Sequence, residues 1–464
     1  MTIQDCARHY DCIVCGGGPS GVAAAIAAGR EGLRVLLLER AGYLGGVSTA
    51  CALPFWLGGF TGSRPYREML REGTPYECLP RPRRAVGGIF RELCDALRDI
   101  GAGTGADPFV MGQAAEHPGL QRLGCHDEFT FDLEAGKRVL EERVLDARVE
   151  LCCYTTICGA EADDRRVRSV IGASKRGLTR FRADAFIDCT GDADVAHFAG
   201  APTIASPLGD VSAVSLIAHV ENVDAGALEA YLNAGGDPYF RAACARAREE
   251  HPEMDLPETM LIFPMVQPGV FMINGGLDLT GYEALDPADM TKLSVRERAR
   301  AEHIARCVFR HIPGGEHCRV RLTAPWPGVR ESRRIVSLGA LTEEDLLTGR
   351  PIPDSVALAA RHFDLDRGRR QPFHEKQLRM KRDAAQIPYS CMVPQGMDNL
   401  LAAGRCIQAD GQALGPARIM ATCFAVGQAA GTAAALRHAE GCAFSEVSYP
   451  VLRRHLLEHG AILD

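Results

Sequence analysis

Long hydrophobic runs are missing from this sequence of 464 residues. No stretch reaches the run of about 20 apolar residues that a membrane-spanning helix requires. Residues 1–10 are polar, and they lack the charged and then apolar pattern of a secretory signal peptide. We therefore expect a cytoplasmic protein that does not have a membrane among its partners.

Positive charge is also scarce. The sequence has 52 Lys and Arg residues against 59 Asp and Glu residues, which gives a formal net charge of −7 at pH 7. Surfaces that bind nucleic acid are normally basic, so we do not expect nucleic acid as a partner. The densest basic patch, at 81–84, is interpreted as a solvated loop.

Patterns for metal binding and thiol chemistry are absent as well. The 18 cysteines are scattered, and several lie in apolar runs, where cysteine behaves as a small buried hydrophobe. Cys12 and Cys15 form a C-x-x-C inside a predicted strand, whereas a redox pair is expected at a turn or a helix start. No second pair of Cys or His residues has the spacing of zinc ligands, so we predict no metal site.

A glycine-rich motif stands out in the first 40 residues. Residues 16–21 read G-G-G-P-S-G and contain G-x-G-x-x-G. The motif follows a predicted buried strand at 11–15 and opens an Ala-rich helix, after which residues 34–38 form a second buried strand. This strand–helix–strand context is typical of a dinucleotide-binding unit.

Each residue of the motif has a predicted role at a pyrophosphate. Gly16 permits the tight turn, Gly18 lets the backbone approach the pyrophosphate, and Gly21 lets the helix pack close to the strand. The helix that begins with Pro19 and Ser20 offers free N–H groups and the positive end of its dipole to the phosphates.

Glu39 ends the second strand and is predicted to accept hydrogen bonds from a ribose. We include the adjacent Arg40 in the predicted cofactor site. Gly45 and Gly46 follow, and a second glycine pair can bring the backbone close to an extended FAD, which a plain NAD unit does not need. The alternative is a structural glycine turn with a surface glutamate.

The sequence resembles the FAD-dependent oxidoreductases that have a glutathione-reductase-type FAD fold. Besides the N-terminal unit, the resemblance rests on I-D-C-T-G-D-A-D at 187–194 and R-E-S-R-R at 330–334. It is most specific at 399–431, which begins N-L-L-A-A-G-R. The matching stretches run in order from about residue 10 to 440, nearly the whole chain.

The resemblance implies further cofactor contacts. Gly191 and Asp192 would lie close to the adenosine and the diphosphate, and Ile157 would meet the adenine through its backbone. Gly404 and Arg405 would line the diphosphate and ribityl region.

The last implied contacts lie in the C-terminal stretch. Asp410 would face the ribityl chain, while Gly415, Arg418 and Ile419 would start the helix directed at the flavin ring. A helix N-terminus at the flavin stabilises the negative charge of the reduced ring. For the glycines at 427 and 431, helix packing is as good an interpretation as a cofactor contact.

The patterning predicts an α/β protein. A Rossmann-like FAD-binding domain would be assembled from discontinuous segments, with an inserted α+β substrate domain. We place the FAD-binding domain at 1–205, with an insertion at about 51–125, and expect the chain to return to it at 386–464. The substrate or cap domain would span 206–385.

We find no second G-x-G-x-x-G between a strand and a helix, so the reductant should be a small organic substrate. The predicted reaction is hydride removal from a C–H bond to flavin N5, and the electron acceptor stays open, as does homo-oligomerisation. The alternatives are a flavin monooxygenase that needs an external reductant and a flavin electron carrier without catalytic activity.

Three residues are candidates for the chemistry. Arg330 could bind a substrate carboxylate or an oxyanion, and His362 and Tyr389 are candidate bases. The alternative role for Arg330 is an ion pair that braces the domains, and its candidate partners are Glu331, Glu343 and Glu344.

Overall fold

The computed structural model describes residues 3–61, 78, 82–104, 112–123, 129–208, 212–273, 281–360 and 382–464. The strands in chain order are β1 Ile3–Cys15, β2 Val35–Leu38, β3 Phe55–Trp56, β4 Phe129–Thr130, β5 Glu150–Cys152, β6 Thr156–Asp163, β7 Arg166–Ser174, β8 Gly177–Asp188, β9 Thr203–Ile204, β10 Ala218–Glu221, β11 Ile262–Pro264, β12 Phe271–Ile273, β13 Arg319–Thr323, β14 Arg334–Ile335, β15 Ser355–Ala359, β16 Ala385–Pro388 and β17 Leu400–Ala402.

The α-helices in chain order are α1 Pro19–Arg30, α2 Gly88–Asp99, α3 Leu133–Asp146, α4 Asp194–Phe198, α5 Ala225–Asn233, α6 Arg241–Glu250, α7 Pro287–His303, α8 Glu343–Thr348, α9 Leu414–Ala417, α10 Met420–Glu440 and α11 Tyr449–Glu458. In the described residues no single helix is long and apolar enough to cross a membrane. The stretches Gly411–Ala417 and Met420–Glu440 pass that test only together, and they are bent by 84°.

The main sheet contains five parallel strands in the order β5-β2-β1-β8-β17. Cys12–Cys15 and the whole of β2 are fully apolar and buried, as expected for parallel strands covered on both faces. The antiparallel strands β7 and β6 extend the sheet beyond the first half of β8. The prediction of a mixed α/β protein with a parallel-strand sheet is confirmed.

Two strand boundaries differ from the sequence prediction. The sequence pattern predicts a hairpin strand at 178–183 and a separate buried strand at 185–190. In the structure the two form one strand, β8, because its hydrogen bonds to β1 continue through both halves. The pattern also predicts a single strand at 149–159, which is instead two strands, β5 and β6. Tyr154 takes a left-handed backbone conformation, with φ of 57°, and turns the chain between β5 and β6.

Helices α1 and α10 pack against each other over the sheet at very short range. A Cβ atom on Gly427 would lie 2.1 Å from the carbonyl oxygen of Ser20, and one on Gly431 would lie 2.2 Å from that of Ala24. Helix packing therefore accounts for both glycines, which the sequence left open.

A second, antiparallel sheet has the order β11-β12-β10-β13. Val220, Phe271 and Ile273 of this sheet belong to an apolar cluster that it shares with α5, α6 and the segment after α7. Phe263 and Met272 belong to the large core cluster that includes α1 and α10. This sheet therefore lies between its own helices and the core of the main sheet.

The sequence pattern predicts a long helix at about 295–311. In the structure this helix, α7, begins earlier, at Pro287, where Asp286 caps the N-terminus by accepting from two backbone N–H groups. It ends at His303 and continues as a π-helical turn over Ile304–Val308. The domain boundaries at 205 and 385 stay predictions.

Candidate functional site

The carboxyl ends of four parallel strands meet at one edge of the main sheet. β1 leads into Gly16, β2 into Glu39, β8 into the loop with Gly191, and β17 into the loop with Gly404. Ligands of open α/β sheets bind at this edge. The fold therefore gathers most of the predicted cofactor residues in one place.

Gly16 and Gly21 of the first loop are required by close contacts with the backbone. Gly16 has φ of 101°, and a Cβ there would lie 2.5 Å from the carbonyl oxygen of Cys189. A Cβ on Gly21 would lie 1.7 Å from the carbonyl oxygen of Gly16. Both are required by the packing of the chain itself.

Gly18 differs from these two. It caps α1 in an extended conformation, with φ of −73° and ψ of −174°, which any residue can adopt. The nearest atom to a Cβ at this position would be Cα of Gly46, at 3.9 Å. The chain itself leaves this space open, beside the N-terminus of α1, where a pyrophosphate fits.

The Glu39 carboxylate is buried and held in place. Its Oε2 accepts a hydrogen bond from the Gly17 backbone N–H at 2.6 Å, and its Oε1 accepts one from Ala41 at 2.7 Å. With only 6% of the residue exposed, the alternative of a surface glutamate is wrong. Each oxygen retains acceptor capacity that fits a ribose hydroxyl.

The second glycine pair lies against the first loop. The backbone N–H of Gly45 donates to the carbonyl oxygen of Gly17 at 2.8 Å. Gly46 has φ of 52°, and a Cβ there would lie 2.8 Å from Cα of Gly18. The pair brings the two loops together at the position left open by Gly18.

Asp192 and Arg405 form a charge pair at the other side of this edge. Arg405 Nη2 lies 2.7 Å from Asp192 Oδ1, and Arg405 Nη1 donates to Ser332 Oγ at 2.5 Å. Burial raises the pKa of the Asp192 carboxyl, but the charges of Arg405 and Arg40 and the hydrogen bonds from Ser332 and Arg405 together outweigh it, so the pKa lies below its ordinary value. Gly191, with φ of 81°, makes room for this guanidinium.

The R-E-S-R-R segment is bound to the strand-end loop and to neighbouring segments. Arg333 pairs with Asp194 at 2.8 Å and donates to the carbonyl oxygen of Asp192. Arg334 pairs with Glu331 at 2.7 Å, and both residues are buried.

Arg330 points to a different stretch of chain. Its Nη1 donates to the carbonyl oxygen of Ala213 and to Ser215 Oγ, both at 2.6 Å. A role in substrate binding stays a prediction.

The sequence pattern predicts a long helix at 419–439, and the structure has this helix, α10, at Met420–Glu440 with Ile419 as its N-cap. Ile419 makes no side-chain capping hydrogen bond. Gly415 lies within the separate short helix α9, and Arg418 caps the end of that helix. Residues 415–418 therefore precede the long helix and do not start it, because the chain bends by 84° between the two helices. Asp410 Oδ1 accepts from the Glu343 backbone N–H at 2.7 Å.

Three further candidates have different surroundings. Ile157 lies two residues after Thr155, whose backbone N–H donates to the carbonyl oxygen of Glu39 at 2.9 Å, and its contact with the adenine stays a prediction. Ile157 pairs with Gly172 in the antiparallel part of the sheet, and its side chain is in an apolar cluster. Tyr389 is buried and donates to the carbonyl oxygen of Phe444 at 2.9 Å, and burial raises its pKa, which disfavours the deprotonated form that a base requires. His362 lies outside the described residues.

Two side chains at this edge were missed by the sequence analysis. His219 on β10 is buried, and its Nε2 lies 2.8 Å from the carbonyl oxygen of Ala52. Burial lowers its pKa to about 4, so the ring is neutral at physiological pH. Trp326 lies under the Arg40 guanidinium, whose Cζ is 4.1 Å from the ring centroid. Neither stands in a motif, so no sequence signal identified them.

The profile of the FAD dependent oxidoreductase family matches residues 11–456. The chain belongs to this family. Its cofactor is FAD, and the open space at Gly18 and the fixed carboxylate of Glu39 fit the diphosphate and the ribose of that cofactor. The family description extends over both the main and the second sheet.

Among solved structures, a geranylgeranyl bacteriochlorophyll reductase-like protein from Thermoplasma acidophilum is similar, with 13% identity and a TM-score of 0.46, over 97% of this chain and 84% of that chain. A p-nitrophenol 4-monooxygenase from Pseudomonas putida has 14% identity and a TM-score of 0.47, over 98% and 87%. Likeness this distant carries no information on substrate or reaction. No curated protein matches the sequence significantly.

Proposed function

We propose that this FAD-dependent oxidoreductase removes a hydride from a small organic substrate. Bound FAD supplies the hydride acceptor, and the chain binds and orients both partners. Gly18 is the observation that supports FAD as the cofactor in this proposal. The packing of the chain does not require a glycine at this position, whereas a diphosphate bound there would. The single dinucleotide motif found in the sequence is then used by FAD, which leaves the organic substrate as the electron donor.

We propose a glutathione-reductase-type FAD domain of Rossmann topology, assembled from separated pieces of chain. The pairing of β17 with β8 supports this, since residues 400–402 join a sheet otherwise built from residues before 189. Insertion of the second sheet between these pieces agrees with a substrate domain in the interval 206–385.

The chain contributes electrostatics at the flavin end of the site. Helix α10 begins without a side-chain cap at Ile419, and its first turn is buried, with the Ala421 N–H donating to the carbonyl oxygen of Leu57 at 3.2 Å. The positive end of this 21-residue helix therefore lies inside the protein. If this end faces the flavin, it stabilises the negative charge that reduction places on the ring.

The substrate would bind between this edge and the second sheet. His219 is on the face of β10 that contacts the cofactor loop, which is the segment of residues 45–52. Met272 lies beside His219 on the neighbouring strand. A neutral imidazole and apolar neighbours suit an organic substrate with few charges. Arg330 would supply one positive charge for a carboxylate or a developing oxyanion.

The test is an anaerobic screen of metabolites for bleaching of the flavin absorbance. Bleaching by one metabolite class supports the dehydrogenase or oxidase reaction. Rapid consumption of NADH or NADPH instead would identify a monooxygenase with an external reductant. Electron exchange with a partner protein, without reduction by any metabolite, would identify an electron carrier.

A further inference from the structure

The loop of residues 324–328, which follows β13, contacts the cofactor loop directly. The Trp326 backbone N–H donates to the carbonyl oxygen of Ala50 at 3.2 Å. The thiol of Cys51 lies 3.5 Å from the carbonyl oxygen of Pro327. These contacts join the second sheet to the chain that follows Gly45 and Gly46.

The backbone of this loop is fixed on both sides of Trp326. Ala324 donates to the carbonyl oxygen of Ile217 at 2.8 Å, and Gly328 donates to that of Ser215 at 2.6 Å. The backbone position of Trp326 is therefore fixed by hydrogen bonds that do not involve its side chain. Substitution of the ring leaves those bonds in place.

The Arg40 guanidinium is the group that this ring holds. Its Cζ lies 4.1 Å from the ring centroid, a favourable cation–π distance. Among the described residues, no ion pair within 4.0 Å includes Arg40. Its charge helps to lower the pKa of the Asp192 carboxyl, but the direct ion-pair partner of Asp192 is Arg405, at 2.7 Å. The Arg40 guanidinium thus stands next to Glu39, at the carboxyl end of β2, without a direct ion pair among the described residues.

We propose that Trp326 is a positioning residue for the FAD diphosphate, holding Arg40 where it neutralises a phosphate charge. The inference rests on the proposed FAD site. The open space at Gly18 and the guanidinium belong to the same edge, because the Glu39 carboxylate binds the Gly17 N–H and Arg40 is the next residue. The second sheet thereby contributes to cofactor binding through one aromatic ring.

The proposal predicts that Trp326 acts only through Arg40. We expect Arg40→Ala to weaken FAD binding about tenfold, by loss of a charge-assisted contact. Trp326→Ala should weaken it about two- to fivefold, as expected for a partly exposed cation–π contact. The double variant should bind like Arg40→Ala alone, because the ring has nothing left to hold.

The assay is a titration of apo-protein with FAD, followed by flavin fluorescence, at several salt concentrations. Screening weakens an ionic contact, so the salt dependence of the wild type should exceed that of Arg40→Ala, with Trp326→Ala between them. Trp326→Phe keeps an aromatic face and should restore affinity, whereas Trp326→Leu keeps the apolar bulk and should not.

Arg176→Ala is the matched charge control, because Arg176 is exposed in the turn at the opposite end of β8. It should bind FAD like the wild type. Additive losses in the double variant, or full affinity in both Trp326→Ala and Trp326→Leu, would overturn the role of Trp326. Wild-type protein that binds no FAD would instead refute the proposed site, so the two failures are distinguishable.

Discussion

Gly18→Val tests whether this glycine is required for folding of the apo-protein or for binding of FAD. The backbone at this position is extended, and the nearest atom to a Cβ is 3.9 Å away, so the apo-protein accommodates a side chain without strain. Replacing a glycine at a compatible position removes conformational freedom from the unfolded chain, which stabilises by about 0.4–1 kcal/mol. The free energy of unfolding of apo-protein should therefore hold or rise slightly.

FAD binding should fail in the same variant. The methyl groups of valine would occupy the space that the diphosphate needs, and each charge-assisted hydrogen bond lost there is worth about 1.5–3 kcal/mol. We expect the dissociation constant to rise at least about a hundredfold, which corresponds to about 3 kcal/mol. Gly18→Ala, with one methyl group, should lose less.

The measurement is flavin content after reconstitution, together with denaturant unfolding of the apo form, since bound FAD would itself raise the stability of the wild type. Gly21→Ala is the contrasting control, because its Cβ would lie 1.7 Å from the carbonyl oxygen of Gly16 and must destabilise the apo-protein. Full flavin content in Gly18→Val would show that the diphosphate does not pass Gly18. A large loss of apo stability would show that the chain itself needs this glycine.

Three further perturbations follow from the same geometry. Glu39→Ala should weaken FAD binding by about 1–3 kcal/mol and also lower the melting temperature of the apo form, because two backbone N–H groups lose their buried acceptor; unchanged titration would exclude the ribose role. Arg330→Lys should slow flavin reduction per bound flavin at near-normal stability if Arg330 binds substrate; lower stability with intact reduction would leave it a brace. The pKa of His219 is lowered to about 4, so the free energy of unfolding should fall as the pH drops from 6.5 towards 4. His219→Gln should remove about 3 kcal/mol of that fall. The same loss of unfolding free energy between pH 6.5 and 4 in wild type and variant would refute this.

Local requirements explain why much of the cofactor edge was predictable from sequence. Gly16 and Gly21 are forced by contacts within a strand–turn–helix unit, and Glu39 ends the adjacent strand, so short-range patterning located all three. The long helix was located to within one residue, but the separate short helix α9 before it was missed, because the 84° bend between α9 and α10 is not marked by a helix breaker at residues 418–420.

Contacts between distant segments could not be predicted in the same way. His219 meets Ala52 across 167 positions of sequence, and Trp326 meets Arg40 from an element with no motif. Either residue in isolation is most simply interpreted as part of a core or a loop. Only the packing of the second sheet against the cofactor loop gives them a possible role.

The charge arrangement assigns different tasks to the two arginines near the diphosphate. Arg405 donates from Nη2 to Asp192 and from Nη1 to Ser332, and its ion pair with Asp192 has no net charge. Such a pair can shape the site, but it offers little charge to a cofactor that carries two negative phosphates. The N-terminus of α1 supplies only a partial positive charge. Arg40 adds a full positive charge at this edge, and its guanidinium is held by the ring of Trp326, from the loop that follows the second sheet.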